Sequence, residues 1–72
     1  MNLHEAMRTH KYFKRPHWDL SKICWFNAQT GPYSELVSCD YFVIYEYGIE
    51  TFSTSLDLYA EDILANDYIL SE

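Results

Sequence analysis

The sequence predicts an α+β domain: an antiparallel β-sheet of about five strands, a short N-terminal helix, and a short helical turn before the last strand. The clearest strand signal is the alternation of side chains from Val37 to Tyr47. The helix signal is Asn2 followed three residues later by Glu5, which is the spacing of a capping box. A chain of 72 residues has room for one domain, residues 1–72, and no second core.

The N-terminal helix is predicted over residues 2–9. Leu3, Ala6 and Met7 recur at helical spacing and would share one face. Because an isolated helix of this length is marginal in water, those three side chains are expected to dock on the sheet.

The strands are predicted at 12–15, 22–27, 37–47, 49–53 and 67–70. Pro16 closes the first, the loop 28–32 follows the second, and Gly48 separates the third and fourth as a hairpin. The turn around Gly48 is not a strong hairpin sequence. One or two helical turns are expected within 59–66, with Asn66 at the C-cap, before a final edge strand.

Apolar residues lie on both faces of the 37–47 strand, since Phe42 and Ile44 alternate with Tyr41 and Val43. The middle of this strand is therefore expected to be covered by the helix on one face and by a neighbouring subunit on the other. The chain has thirteen aromatic residues, more than so small a core can hold. A homo-oligomer, a dimer or a tetramer, is the expected consequence, with some rings at a subunit interface or in a ligand pocket.

Charge is distributed unevenly along the chain. All five lysines and arginines lie in the first 22 residues, whereas nine of the eleven carboxylates lie after them. The net charge of −6 excludes non-specific nucleic-acid binding by the whole surface, but a local basic patch near the N-terminus remains open. Three histidines, His4, His10 and His17, would strengthen that patch when protonated.

No apolar run approaches the length of a membrane span, and the N-terminus lacks the apolar core of a signal peptide, so a cytoplasmic protein is expected. Cys24 and Cys39 match no metal spacing, and two reduced thiols are favoured over a disulfide. No nucleophile motif, Gly-rich phosphate loop or metal-ligand spacing is present. Glu61 and Asp62 are adjacent and would point about 100° apart on a helix. The sequence therefore indicates a binding protein without a cofactor, and not an enzyme.

Arg15, Trp18 and Trp25 form the leading candidate for a ligand site. A guanidinium suits a pyrophosphate, and an indole face suits a purine-like base. The alternative is that both indoles are core or interface rings and that Arg15 pairs with a surface carboxylate. His17, next to the turn proline, is a weaker candidate that could also be merely exposed.

Two further residues are candidates for polar ligand contacts. Asp67 could accept a hydrogen bond from a ribose hydroxyl, or it could serve as a C-cap or turn residue. Asn27, at a predicted strand end, could contact a base or simply start the loop.

Two stretches carry a family resemblance. Arg15-Pro16-His17-Trp18 follows a helix that begins Leu3-His4-Glu5-Ala6-Met7, and the C-terminus contains Glu61-Asp62-Ile63-Leu64-Ala65-Asn66-Asp67-Tyr68. Together they resemble the phage-encoded Thoeris anti-defence family of small proteins. Tyr68 stands where that family has a final Trp, and His10-Lys11-Tyr12 replaces a Lys-Gly turn.

The resemblance implies a β-rich oligomer in the host cell cytoplasm that sequesters a nucleotide-type immune messenger, a cyclised ADP-ribose or a cyclic oligonucleotide, without cleaving it. Related domains are associated with anti-CRISPR activity. The alternative function is therefore an inhibitor that binds a host defence effector protein through its acidic surface. A third possibility is that the acidity only provides solubility.

Overall fold

The computed structural model describes residues 1–27 and 40–71. In chain order, its elements are α1 Leu3–Arg8, β1 Phe13–Lys14, β2 Ser21–Phe26, β3 Tyr41–Glu46, β4 Ile49–Ser53, α2 Ala60–Ile63 and β5 Ile69–Leu70. The five strands form one sheet in the order β4-β3-β2-β1-β5, and every neighbouring pair is antiparallel. The predicted α+β fold, with one short helix before the sheet and another before its last strand, is confirmed.

Helix α1 begins with the predicted capping box. The Asn2 side chain accepts a hydrogen bond from the Glu5 amide at 2.8 Å, and the Glu5 carboxylate accepts one from the Asn2 amide at 3.0 Å. Two of the amide groups that a helix start leaves without helical partners are thereby satisfied. The helix ends at the C-cap Thr9, and His10 follows with a φ of 55°.

The core lies between α1 and one face of the sheet. The register pairs Phe13 with Ile23 and Ile23 with Ile44, so these side chains form a row across three strands on the α1 face. The fully buried members of this cluster are Ala6, Phe13, Ile23 and Tyr68, and Leu3 and Met7 pack against them. The predicted docking of the helix face on the sheet is confirmed.

The middle of β3 is covered on both faces within the single chain. Val43 is fully buried on the face opposite α1, next to Cys24 of β2, which is also buried. Ile44 packs against the core on the α1 face. The single chain therefore covers Val43 by itself, contrary to the expectation that a neighbouring subunit does so.

A two-residue turn joins β3 to β4. Glu46 pairs with Ile49, and the two residues between them, Tyr47 and Gly48, have φ angles of 51° and 80°. Positive φ at both central positions is the requirement of a type I′ hairpin, which matches the twist of the strands. The Tyr47 amide donates to the Leu20 carbonyl at 3.1 Å and so ties the turn to the segment before β2.

Several boundaries differ from the predicted ones. Strand β3 begins at Tyr41, while residues 37–39 and the predicted loop 28–32 lie outside the described residues. The second helix ends with Leu64 as its C-cap, so the prediction of Asn66 at that position was wrong. Strand β5 has two residues and lies at the sheet edge, as predicted. Within the described residues, none of the helices combines the length and the apolar character that crossing a bilayer demands.

Candidate functional site

A tight turn over residues 15–18 builds one side of the candidate site. The Trp18 amide donates to the Arg15 carbonyl at 3.0 Å, and Pro16 lies at the second position of the turn, which its ring favours. The turn directs Trp18 back toward the core, where its ring meets the edge of Tyr68 at a centroid distance of 5.8 Å. His17, at the tip of the turn, is exposed.

Arg15 is held by two carboxylates from the C-terminal part of the chain. Its Nε and Nη2 donate to the two oxygens of Asp67 at 2.9 and 3.3 Å, and its Nη1 donates to Asp62 at 2.7 Å. The Asp67 contact is bidentate, a geometry that guanidinium and carboxylate groups favour. The Arg15 side chain is 16% exposed, and that of Asp62 is 8% exposed.

These contacts shift the titration of both partners. The hydrogen bonds from Arg15 hold the pKa of Asp67 below its ordinary value. The hydrogen bonds to Asp67 and then Asp62 raise the pKa of Arg15, which therefore stays charged. A ligand anion would have to displace two carboxylates to use this guanidinium, so Arg15 acts here as a structural tie.

Tyr68 supports the same cluster from beneath. Its ring is 1% exposed and meets the edge of Phe13, and its hydroxyl donates to the Asp62 carbonyl at 2.6 Å. Burial raises the pKa of this hydroxyl. The hydrogen bond fixes α2 against the segment that carries Asp67, which places both carboxylates within reach of Arg15.

A groove of about 560 Å³ opens beside the turn, and we call it the acidic groove. It lies between the 17–21 segment, the β3–β4 turn and residues 53–59 before α2. Its lining consists of His17, Trp18, Asp19, Leu20, Ser21, Ile23, Ile44, Glu46, Tyr47, Ser53, Ser55, Leu56, Asp57, Leu58, Tyr59 and Asp62.

The lining combines negative charge with exposed apolar side chains. Four carboxylates face the groove, and its described lining contains neither lysine nor arginine. Three of the apolar residues in the lining are also strongly exposed: Leu20 at 59%, Tyr47 at 75% and Tyr59 at 79%. Since Asp62 is engaged by Arg15, the carboxylates that give the groove its character are Asp19, Glu46 and Asp57.

A second cavity, of about 200 Å³, adjoins the groove, and we call it the lysine pocket. It is lined by Lys14, Asp19, Leu20, Ser21, Lys22, Tyr45 and Ser71. Residues 19–21 line both cavities. Because Lys14 and Lys22 alternate with the core residues Phe13 and Ile23, their side chains lie on the face of the sheet opposite α1.

Comparison with protein-family models, curated proteins and solved structures found no match. The function is therefore inferred from the geometry of these two cavities.

The structure brings four of the six predicted site residues together. Arg15 and Asp67 form the bidentate ion pair, and Trp18 and His17 lie in the same turn and line the acidic groove. Trp18 is half-buried, so one part of its indole packs on Tyr68 while another part faces the groove. Arg15 thus pairs with carboxylates, which was the alternative to its role as a phosphate ligand.

Trp25 and Asn27 lie apart from this group. Trp25 stacks on His10 at a centroid distance of 5.2 Å, and the His10 ring contacts the Trp25 carbonyl through Nδ1 at 3.3 Å. Trp25 lies two residues beyond Ile23, the last residue of β2 in the groove lining, which is about 7 Å along a strand. Asn27 follows the end of β2 and is half-buried. The structure does not place Arg15 and both indoles in one cleft.

Sequence reasoning missed Asp62 and Tyr47. Asp62 entered the sequence interpretation only as a neighbour of Glu61, although it lies five residues before Asp67 and pairs with the same guanidinium. Tyr47 precedes the glycine of a short turn, which is a signal for positive φ that could have marked it.

Cys24 does not have the properties of a nucleophile. It is buried, and burial raises its pKa to about 11, so the thiol is protonated at neutral pH. Within residues 1–27 and 40–71, no group of three or more His, Cys, Asp or Glu side chains could hold a metal ion.

Proposed function

We propose that this protein acts by binding, without catalysis, and that the acidic groove receives a basic, partly apolar segment of another protein. The observation that supports this proposal is the composition of the groove. Three carboxylates that Arg15 does not contact lie there next to exposed apolar side chains: Asp19, Glu46 and Asp57. Such a surface fits a segment that alternates arginine or lysine with large apolar residues.

Charge complementarity favours a positively charged partner. The groove carries negative charge in a chain whose net charge is already −6. An approaching anion is repelled at long range, whereas a basic segment is attracted and oriented. Guanidinium groups also stack on aromatic faces, which Trp18, Tyr47 and Tyr59 provide.

The conformation of Tyr47 supports this assignment. A tyrosine at a φ of 51° is strained, because its Cβ crowds the backbone in the left-handed region. Asparagine or glycine would occupy this turn position with less strain. An exposed, strained tyrosine on the rim of a groove is the type of residue that contributes to binding rather than to stability.

The test is a titration of the labelled protein with a short peptide of alternating arginine and leucine, followed by backbone NMR. The expected result is a saturable set of shifts at residues 17–21, 46–47 and 53–59, weakened by salt. A matched peptide of glutamate and leucine should produce none. Shifts located elsewhere, or no shifts at millimolar peptide, would contradict the proposal.

Variants of the groove sharpen this test. The double substitution Glu46→Gln and Asp57→Asn should lower the affinity for the basic peptide by roughly threefold to tenfold, which is the scale expected for two exposed charge pairs. Glu61 is exposed on α2 outside the groove lining, so Glu61→Gln is the matched control and should leave affinity unchanged. Equal affinity for the double variant and the control would remove the carboxylates from the site.

The resemblance to the Thoeris anti-defence family supports a biological setting for this binding. In that setting the protein is phage-encoded, acts in the host cell cytoplasm, and blocks a host defence effector by occupying a basic surface. An acidic protein that occupies a nucleic-acid groove would imitate the charge of its natural ligand.

Sequestration of a nucleotide-type messenger is the second candidate function. It is supported by Trp18 in the groove and by the lysine pocket next to it, since the two cavities share residues 19–21. An indole face and two ammonium groups suit the base and the phosphates of such a molecule. Calorimetry with cyclised ADP-ribose isomers and cyclic dinucleotides tests it, and no heat at micromolar concentration would reject it.

A further inference from the structure

We propose that the lysine pocket is a binding site for a phosphate-type oxyanion. The proposal depends on Lys14 and Lys22, which neither the acidic groove nor the Arg15 cluster uses. It does not rest on the basic partner proposed for the groove, although Asp19, Leu20 and Ser21 line both cavities, and it specifies the anion that the second candidate function would place there.

The strand register places the two lysines side by side. Phe13 pairs with Ile23 in the antiparallel β1–β2 ladder, so the next position sets Lys14 opposite Lys22. Directly opposed residues on neighbouring strands have Cβ atoms about 5 Å apart. Both ammonium groups can therefore reach one anion that lies between them and donate charge-assisted hydrogen bonds to it.

Aromatic rings orient one of the two ammonium groups. Lys22 Nζ lies 4.7 Å from the centroid of the Tyr12 ring and 5.2 Å from that of Tyr45. These cation–π contacts restrict a side chain that is otherwise flexible. A positioned ammonium loses less conformational entropy when it binds an anion than a mobile one does.

The size and lining of the pocket fit a single oxyanion group. A volume of about 200 Å³ accommodates a phosphate and a few waters, since one water occupies roughly 30 Å³. Tyr45 and Ser71 also line the pocket and carry hydroxyl groups that can donate to anionic oxygens. A tetrahedral anion uses several such donors at once.

Asp19 is the carboxylate that lines this pocket, and it also lines the acidic groove. Its charge opposes an anion in the pocket and attracts a cation in the groove. Removing that charge should therefore change the two affinities in opposite directions, which makes Asp19→Asn an informative variant for both sites.

The experiment is a titration with inorganic phosphate, followed by NMR of backbone amides and lysine side chains at constant ionic strength. The expected result is saturable shifts at Lys14, Ser21, Lys22 and Tyr45. Lys14→Gln and Lys22→Met should each lower the affinity for phosphate about tenfold. The methionine keeps the packing of the Lys22 stem on the two tyrosine rings, and thermal unfolding checks that each variant folds.

Two controls decide the outcome. Lys11 is exposed and lies outside the pocket lining, so Lys11→Gln should leave the affinity for phosphate unchanged. Equal shifts with chloride, or the same affinity in Lys14→Gln as in the unaltered protein, would overturn the proposal. Adenosine monophosphate distinguishes the source of the anion, because a site for free phosphate excludes it whereas a site for a phosphoryl group of a larger ligand accepts it.

The Asp19→Asn variant separates this inference from the proposed function. It should bind phosphate more tightly and the arginine-leucine peptide more weakly. Loss of peptide binding without tighter phosphate binding would refute only the oxyanion site. The reverse result would refute only the role of Asp19 in the groove.

Discussion

Arg15 and Asp67 lie 52 residues apart in the chain and form a bidentate ion pair, with Nε and Nη2 of the arginine on the two carboxylate oxygens. The pair joins the turn before β2 to the segment before β5. Asp62 binds the third nitrogen of the same guanidinium. One arginine from the basic part of the chain is therefore neutralised by two carboxylates from the acidic part.

The first prediction concerns stability in acid. Because the pKa of Asp67 is lower in the folded protein than its ordinary value of 3.8, the folded state favours the ionised carboxylate. The stability from this pair is present above that value and is lost as the pH falls through the lowered pKa. Asp67→Asn should therefore be less stable near neutral pH and should lose less stability on acidification.

The measurement is the free energy of unfolding by urea at several pH values between about 2 and 7. Asp40 is exposed before β3, and Asp40→Asn should retain the acid dependence of the unaltered protein. Identical acid dependence in Asp67→Asn would show that the pair does not contribute.

The second prediction is that Tyr47→Asn stabilises the fold. Asparagine tolerates the left-handed conformation better, so the free energy of unfolding should rise by about 0.5–1 kcal/mol. Binding of the arginine-leucine peptide should weaken at the same time, since the exposed ring is gone. Tyr47→Phe keeps the ring and the strain and should change neither quantity. If Tyr47→Asn is more stable and still binds the peptide with full affinity, the strained tyrosine does not contribute to binding.

The third prediction concerns the buried hydroxyl of Tyr68. Tyr68→Phe retains the ring contacts with Phe13 and Trp18 but removes the hydroxyl that donates to the Asp62 carbonyl. The expected loss is about 1–2 kcal/mol in the free energy of unfolding. Tyr59 is 79% exposed, so Tyr59→Phe serves as the control and should change stability by less than about 0.5 kcal/mol. A loss no larger than the control's would contradict this prediction.

The fold was predictable because its signals are local. The capping box at Asn2 and Glu5 fixes the start of α1, and Gly48 marks the hairpin. Each signal acts between residues close in sequence, where backbone sterics and hydrogen bonding decide the conformation. The boundaries of α2 were less predictable because Tyr59 provides no side-chain cap for its start.

The candidate site was only partly predictable because it depends on contacts distant in sequence. Arg15 has the chemistry of a phosphate ligand, and nothing near it in the chain indicates that Asp62 and Asp67 will neutralise it. Trp25 and Trp18 offer the same indole ring to a ligand, but Trp25 lies further along β2 and stacks on His10. Residue type gives the chemistry that is available, whereas the register decides which groups meet.

The fourth prediction concerns stability in alkali. Burial raises the pKa of Cys24 from 9.0 to about 11, so the unfolded state loses its thiol proton first. The stability that depends on this neutral thiol is present below the lower value and is lost as the pH rises through the higher one. Cys24→Ala should lower stability at neutral pH by truncating a buried side chain, but its further loss above about pH 9 should be smaller. Urea unfolding across this pH range measures both effects, and an unchanged alkaline slope would refute the assignment.

The fifth prediction concerns self-association, which thirteen aromatic residues led us to expect. Within the described part of the sheet, β4 has a strand on one side only, and its Ile49 is 66% exposed. Exposed edge strands pair readily with a second copy. We therefore expect a dimer in which two β4 strands lie antiparallel, and we expect salt to strengthen it by screening the net charge of −6 on each chain.

Light scattering coupled to size-exclusion chromatography, at low and high salt, measures this association. A charge on the edge should prevent pairing, so Ile49→Lys should elute as a monomer. Ile69 is 45% exposed on β5 at the opposite edge, and Ile69→Lys should remain a dimer. A monomer in the unaltered protein at every concentration and salt would refute self-association, whereas a monomer only in Ile69→Lys would move the interface to β5. The acidic groove reaches the β3–β4 turn. Pairing through β4 would join the sheets of two chains, so that one dimer offers a partner two grooves.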